Sequence, residues 1–168
     1  MFNIGSNISS FSTYSCRPAS KKELKQIIIK RIDEEGPNCD LNDIDVSLIE
    51  DMSWLFACTD FIGDISKWNV SNVIDMSWMF NWSKFTGDIS KWDISKAKNL
   101  QSMFERSKFN NDISRWKISS VMNMSYMFCS SQFNQDISEW KIKEDCDTNH
   151  IFHNCSIKEE FKPKSLQK

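Results

Sequence analysis

The chain has 168 residues, a formal net charge of −2 at neutral pH and 40 % hydrophobic residues. This composition fits one globular domain, and because only four Gly and three Pro are present it excludes a collagen-like or disordered chain. The near-neutral charge gives no indication of a nucleic-acid or membrane partner. Seven Trp, twelve Phe and eight Met indicate that large apolar side chains provide most of the burial.

The N-terminal segment, residues 1–19, is predicted to be a tail, or a strand that lies along the first repeat. It lacks the basic and apolar regions of a secretory signal, and no run in the chain approaches the roughly 18 apolar residues of a membrane helix. We therefore expect a cytoplasmic location with reduced cysteines. A cell-surface or secreted location is the alternative if the sequence belongs to a longer protein.

Residues 20–38 are predicted to form an amphipathic helix. Ser20 and Glu23 have the spacing of a capping box, and Gly36-Pro37 ends the pattern. The apolar positions recur with helical periodicity, at Leu24, Ile27, Ile28 and Ile32. We expect this helix to cap the first repeat, and a partner-binding helix is the alternative.

Residues 39–146 repeat with a period of 24 residues. Units begin at Asp51, Asp75, Asn99 and Asn123, and a fading fifth unit begins at Asp147. The aligned columns include Phe56, Phe80, Phe104 and Phe128; Phe61, Phe85, Phe109 and Phe133; and Trp68, Trp92, Trp116 and Trp140. A strict period predicts that each unit is one coil stacked on the next, because a slip would misalign every later column.

Two patterns within the unit predict its secondary structure. Trp68 and Val70 alternate with polar residues, as in a short strand with one buried face. Met76, Met79 and Phe80 stand at i, i+3 and i+4, which predicts a short helix. The predicted fold is therefore an α/β solenoid, leucine-rich-repeat-like, with a short strand and a short helix in each coil and an N-terminal capping helix.

The repeat strings FIGDISKWNVSNVIDMSWMF, FTGDISKWDISKAKNLQSMF, FNNDISRWKISSVMNMSYMF and FNQDISEWKI are specific. They resemble the repeats of BspA-like leucine-rich-repeat surface proteins and the related mycoplasma-type lipoprotein repeats. The resemblance covers about residues 40–160. It implies a solenoid that binds host or partner proteins, usually on an exported scaffold.

Residues 147–168 are predicted to be a degenerate last coil and C-terminal cap. Thr148 replaces the core Met, and Glu159 and Glu160 fall where Gly and Asp stood in earlier units. Polar replacement of this kind is expected where the last coil faces solvent.

Two constellations suggest metal chemistry, and each has a simpler interpretation. The column Asp64, Asp88, Asp112 and Asp136 could bind calcium, but Asp-Ile-Ser favours Asx-turns, in which the carboxylate accepts the N–H of the Ser two residues on. A zinc site is the other candidate, but its spacing matches no common zinc module, so we predict neither metal nor cofactor. Its ligands would be Cys146, His150, His153 and Cys155.

Two surfaces are candidates for partner binding. The first is a mildly basic strip on the outward face of the predicted strand, with Lys67, Lys91, Arg115, Lys117 and Lys141. The second is a set of aromatic residues on the helix side that point away from the core, namely Trp54, Trp78, Trp82 and Tyr126. Exposed Trp and Tyr are typical anchors of protein interfaces, whereas the alternative is mutual packing along the coils.

No nucleophile with a neighbouring base is found, so we predict no catalytic residues and no enzyme. The predicted function is non-enzymatic recognition of another protein, by a monomer, through the strand face or the helix-side aromatics. One alternative is an intracellular inhibitor or decoy of a host enzyme, encoded by a phage or mobile element. A second is a structural protein whose coils assemble end to end.

Overall fold

The computed structural model describes residues 14–167. Its helices are one α-helix, α1 (Lys21–Glu35), and two short 3-10 helices at Glu159–Phe161 and Lys164–Leu166. Pairing of β type within these residues is confined to single-residue parallel bridges, joining Cys16 to Ile44, Asp40 to Asp64, Asp51 to Asp75, Asp75 to Asn99, Asn99 to Asn123 and Asn123 to Asp147. Most of the predicted tail, residues 1–13, lies outside the described part of the chain.

Helix α1 follows from local sequence signals at both ends. The Glu23 N–H donates to the Ser20 hydroxyl at 3.3 Å, which satisfies one free amide of the first turn. Gly36 ends the helix at a φ of 91°, a conformation that only glycine adopts readily, and its N–H donates to the Ile32 carbonyl. Leu24 and Ile28 are buried in the core that the repeats share, and Lys21 and Lys25 contact Asp51 and Trp54, so α1 covers the N-terminal end of the repeats.

Three aromatic columns form the core and bring the repeats together in register. The Phe80 and Phe104 rings stack with centroids 5.6 Å apart, and Phe104 also contacts Phe109 at 4.2 Å. In the third column each buried indole N–H donates to a backbone carbonyl of the preceding repeat, as a buried Trp requires. These bonds run from Trp68 to Leu41, Trp92 to Ile65, Trp116 to Ile89 and Trp140 to Ile113.

A second set of bonds joins the repeats along residues 76–83 and the equivalent residues of the other repeats, which we call the Met-Phe segment. Alternate amides donate to the next repeat, from Met76 to Asn99, Trp78 to Gln101, Phe80 to Met103 and Trp82 to Glu105. The intervening amides close tight turns instead, as Met79 N–H does with the Met76 carbonyl. Every backbone amide from Met76 to Ser83 except that of Ser77 therefore has a carbonyl partner, and Ser77 N–H donates to the Asp75 carboxylate.

The predicted helix in each repeat is wrong. Two residues per repeat, such as Trp78 and Trp82, have left-handed φ values of 61° and 54°. Left-handed residues cannot continue a right-handed α-helix, and half of the amides in this segment are taken by the neighbouring repeat. Met76, Met79 and Phe80 are fully buried, as a helix would also require, but they lie in consecutive turns whose corners face the core.

The predicted strand is wrong as well. Trp68 and Val70 are buried and the residues beside them exposed, yet Trp68 N–H closes a turn onto Ile65, and Lys67 N–H donates to the Asn42 side chain. With these amides unavailable for a ladder, no sheet forms in this segment. The leucine-rich-repeat-like α/β solenoid is thus corrected: the described repeats are turns held in register by isolated bridges, ring stacks and side-chain hydrogen bonds.

Candidate interaction surface

The predicted aromatic candidates lie on one side of the repeats, and we call Trp54, Trp78, Trp82 and Tyr126 the aromatic face. Trp54 is 46 % exposed, Trp82 56 % and Tyr126 38 %, whereas Trp78 is half-buried. Trp54, Trp78 and Tyr126 belong to one repeat column, which also contains Ser102 and His150. The face is therefore a row of large side chains, interrupted at Ser102.

Ring contacts organise the aromatic face. The Trp54 and Trp78 indoles stack at 4.6 Å with planes only 4° apart, so each covers one face of the other and leaves its edges toward solvent. Trp82 carries the Arg106 guanidinium 4.9 Å from its ring centroid, a cation–π contact. Arginine and tryptophan are the residue types that most often anchor protein interfaces.

The backbone under the aromatic face is strained. Trp54, Trp78, Trp82 and Tyr126 have φ values of 63°, 61°, 54° and 58°. A non-glycine residue in this region costs about 1–2 kcal/mol, and turns of this kind normally place Gly or Asn there. Ser102 adopts the same conformation at φ 52°, so the fold does not require an aromatic side chain in this column.

The basic strip is exposed as predicted, but its charges are locally compensated. Lys91 and Arg115 lie close enough to Asp88 and Asp112 to contribute to lowering the pKa of those carboxyls, after hydrogen bonds from Ser90 and Ser114. Asp93 stands close enough to Lys117 that this cation contributes to lowering the pKa of Asp93, after hydrogen bonds from Ser95. A strip with interleaved acids offers no continuous positive field for nucleic acid. The strip residues are Lys67, Lys91, Arg115, Lys117 and Lys141.

The aspartate column forms the Asx-turns that the simpler interpretation predicts. The N–H of Ser90 donates to the Asp88 carboxylate at 2.9 Å, and the same bond recurs at Asp112 and Asp136. In each turn the backbone N–H of the Ser two residues on donates to the carboxylate, and the Ser hydroxyl makes a second, smaller contribution. These hydrogen bonds hold the pKa of all three carboxyls below the ordinary value.

These depressed pKa values predict acid sensitivity. A carboxyl with a lower pKa in the folded chain stabilises it above the ordinary pKa of about 3.9, and that contribution is lost as pH falls through the folded pKa. The triple variant Asp88→Asn, Asp112→Asn, Asp136→Asn should therefore lose less stability between pH 5 and pH 2 than the native chain. Chemical unfolding at stepped pH measures this difference.

Asparagine is a matched replacement because the chain already uses it in Asx-turns at another position of the repeat. The Asn123 side chain accepts the Ser125 N–H at 2.9 Å, so Asn keeps the bond without titrating. An identical acid slope in the native and triple-variant chains would show that these carboxyls do not contribute to the pH dependence.

The zinc candidates are not assembled into a site. Cys155 Sγ donates to the Phe133 carbonyl, and His150 stacks on Tyr126 at 4.9 Å. Cys146 is buried beside the Asp147 backbone, and His153 meets His150 edge-on at 5.5 Å. Within residues 14–167 no group of three or more His, Cys, Asp or Glu side chains is arranged to hold a metal ion.

Comparison with known families identifies the family to which the chain belongs. The family described as "Mycoplasma protein of unknown function, DUF285" matches residues 29–131 and, in a second overlapping match, residues 50–162. The chain belongs to the DUF285 family. No curated protein and no solved structure matches it.

The DUF285 match confirms the mycoplasma-type repeat part of the sequence resemblance. It does not extend to leucine-rich repeats, and the turn-built repeats contain none of the strands that such repeats require. Among the described residues, no helix is long and apolar enough to cross a bilayer. The absence of catalysis stays a prediction for this DUF285 chain.

Sequence reasoning missed two features of the candidate surface. Arg106 falls in a column that otherwise contains Cys58, Trp82, Ser130 and Asn154, so nothing in the repeat marks it as a partner of Trp82. The left-handed backbone was also hidden, because its usual signal is Gly or Asn and these columns are mostly aromatic or polar.

Proposed function

We propose that this DUF285 chain is a non-enzymatic binding protein that recognises another protein through its aromatic face. The observation that carries the proposal is the exposure of Trp54, Trp82 and Tyr126, in columns where the same backbone conformation also takes small residues such as Ser102. Exposed Trp and Tyr side chains are typical anchors of protein interfaces.

Comparison along the repeat column supports recognition over packing. Stacking of the Trp54 and Trp78 rings contributes only about 0.5–1.5 kcal/mol. The left-handed backbone is common to Trp54, Trp78 and Ser102, so its cost does not depend on which of these side chains is present. A contribution to partner binding explains why the two indoles stand where Ser102 would be sufficient.

A functional kinship with BspA-like surface proteins is part of the proposal, whereas their fold is not. The repeat strings resemble those proteins, which bind through the surfaces of their repeats. The compensated basic strip is the weaker candidate here, because exposed mixed charges at an interface rim contribute little affinity.

The test uses the full chain as bait, followed by measurement of Kd with the purified captured protein. Trp54→Asn combined with Trp78→Asn should weaken binding at least about 30-fold, corresponding to about 2 kcal/mol for loss of interface anchors. Asn tolerates the left-handed conformation, so the melting temperature should stay the same or rise.

The matched control is the strip variant Lys91→Glu with Arg115→Glu, which should bind nearly as tightly as the native chain. If the strip variant loses binding while the tryptophan variant retains it, recognition occurs on the strip. If neither variant affects affinity, the proposal for both surfaces is wrong.

A further inference from the structure

Arg106 brings a cation onto the aromatic face from the repeat that follows Trp82. Its guanidinium lies over the Trp82 ring, 4.9 Å from the centroid, and its Nε lies 3.8 Å from Glu105 Oε1. These two contacts hold the guanidinium in place, although 51 % of the side chain is exposed. A planar group that is already held in this way loses little conformational freedom when it binds a partner.

The two Nη groups are the donors of Arg106 that remain available. Within residues 14–167 the guanidinium contacts Trp82 and Glu105, and neither Nη group donates a hydrogen bond. Paired N–H groups of a guanidinium form a fork that matches the two oxygens of a carboxylate. The aromatic face therefore includes a positioned and unsatisfied fork of donors.

The charges around Arg106 favour an anionic partner. Lys84 and Lys108 occupy an exposed column, two residues farther along the repeat than Trp82 and Arg106. Lys84 Nζ is paired with the Asp60 carboxylate at 2.9 Å, whereas Lys108 forms no ion pair within the described residues. The Glu105 carboxylate is mostly buried and already lies beside Nε. This flank thus presents the Arg106 fork and the Lys108 ammonium group to a partner.

We propose that the aromatic face is specific for an acidic segment of its protein partner, with an Asp or Glu side chain of that segment bound by the Arg106 fork. The inference rests on the proposed function, because Trp82 of the aromatic face holds Arg106. Trp78 lies four residues before Trp82, which corresponds to at most about 14 Å of chain. An extended segment of about five residues can therefore contact both the fork and the exposed edges of the Trp54–Trp78 pair.

A carboxylate fits this position better than a phosphate. A phosphorylated side chain carries nearly two charges and is typically bound by several Arg residues, whereas here a single fork stands beside the Glu105 carboxylate. Single-stranded nucleic acid needs free ring faces on which bases can stack. The Trp54 and Trp78 rings already cover one face of each other at 4.6 Å, and Arg106 covers one face of Trp82.

A random peptide library selected on the immobilised full chain tests this preference. Peptides enriched by the native chain should contain Asp or Glu near apolar or aromatic residues more often than the unselected library does. Selection on the Arg106→Gln chain should retain the apolar preference and lose the acidic one. Acidic enrichment that is absent on the native chain, or equal on the two chains, overturns the proposal.

The Trp54→Asn, Trp78→Asn variant separates this inference from the proposed function. If that variant enriches the same peptides as the native chain, the aromatic face does not bind them, and the proposed function fails as well. If it loses the enriched peptides while Arg106→Gln retains the acidic ones, the aromatic face binds but the role of Arg106 is wrong.

Titration of one enriched peptide measures the contact itself. Arg106→Gln, or replacement of the acidic residue of the peptide by its amide, should each raise Kd about tenfold, and the two changes together should raise it little further. Arg106→Lys should give an intermediate Kd, because it keeps the charge without the fork. The Arg106 side chain is half-exposed, so both variants should keep the native melting temperature.

The matched control is Arg115→Gln, which removes an arginine from the basic strip and should leave Kd unchanged. An equal loss for Arg115→Gln, or additive losses in the paired substitutions, would show a general attraction of charges and contradict the fork. A short oligothymidylate is titrated in parallel. Tighter binding of the oligothymidylate than of the peptide, abolished by Arg106→Gln, overturns the proposal in favour of nucleic acid.

Discussion

Replacing Phe104 by Ala is expected to lower the free energy of unfolding by about 3–5 kcal/mol, the usual cost of truncating a fully buried aromatic side chain. The Phe104 ring is inaccessible to solvent and stacks between Phe80 and Phe128 at 5.6 Å and 5.8 Å. It also contacts Phe109 and Trp116, so its removal leaves a cavity where three aromatic columns meet. Urea unfolding followed by circular dichroism measures the loss.

The control for Phe104 is an exposed aromatic residue on the same segment of the repeat. Trp82→Ala removes a larger ring that is 56 % exposed and whose recorded ring contact is with Arg106. This change should cost less than about 1 kcal/mol, because little apolar surface is uncovered. Equal losses for the two variants would mean that inside and outside are wrongly assigned.

Gly63→Ala is expected to destabilise the chain by about 3 kcal/mol, at the upper end of what overpacking costs. A Cβ on Gly63 would overlap the Cys39 carbonyl oxygen and would lie 2.7 Å from the Phe61 ring. The carbonyl cannot move away freely, because it accepts the Asp64 N–H. Differential scanning calorimetry should show the transition at a lower temperature, with the fold otherwise retained.

Gly87→Ala separates the backbone clash from the ring clash. Its Cβ would also meet a Phe ring at 2.7 Å, but the nearest backbone atom, the Gly63 oxygen, is 3.4 Å away. Asn111 and Gln135 occupy the same column with side chains, so later repeats accommodate a Cβ here. We expect a loss of about 1 kcal/mol for Gly87→Ala. If both variants lose the same amount, the Cys39 carbonyl is not the cause.

The core variants should change the free energy of unfolding, whereas the surface variants should change partner affinity or the pH dependence of stability. The aromatic-face variants should alter affinity while stability stays constant or rises, and the aspartate variants should alter only the acid limb of stability. In both sets of variants the same substitution is made at equivalent positions of neighbouring repeats. A variant series along one column therefore distinguishes a local effect from a property of the repeat.

The candidate surfaces were predictable in part. Trp54, Trp82 and Tyr126 are exposed because they lie next to the buried apolar columns of the repeat and not within them. Their left-handed backbone and the cation–π contact of Arg106 depend on how the turns pack, and no residue type in these columns signals either.

The sequence by itself determined the register and the inside of this protein. A period of 24 residues without insertion aligns each Phe, Ile and Trp with its equivalent, and burying those columns requires successive repeats to stack. It also determined α1, because the capping Ser20 and the terminating Gly36 act within a single helical turn.

Only the tertiary structure decided the path of the backbone within a repeat. Spacing at i, i+3 and i+4 is shared by a helical turn and by consecutive tight turns, so burial of Met76, Met79 and Phe80 is compatible with both. The choice depends on where the alternate amides find acceptors, and here the acceptors belong to the next repeat, 23 residues on, as from Trp78 N–H to the Gln101 carbonyl. Hydrogen bonds between repeats, together with left-handed residues that interrupt any helix, therefore replaced the expected strand and helix with turns.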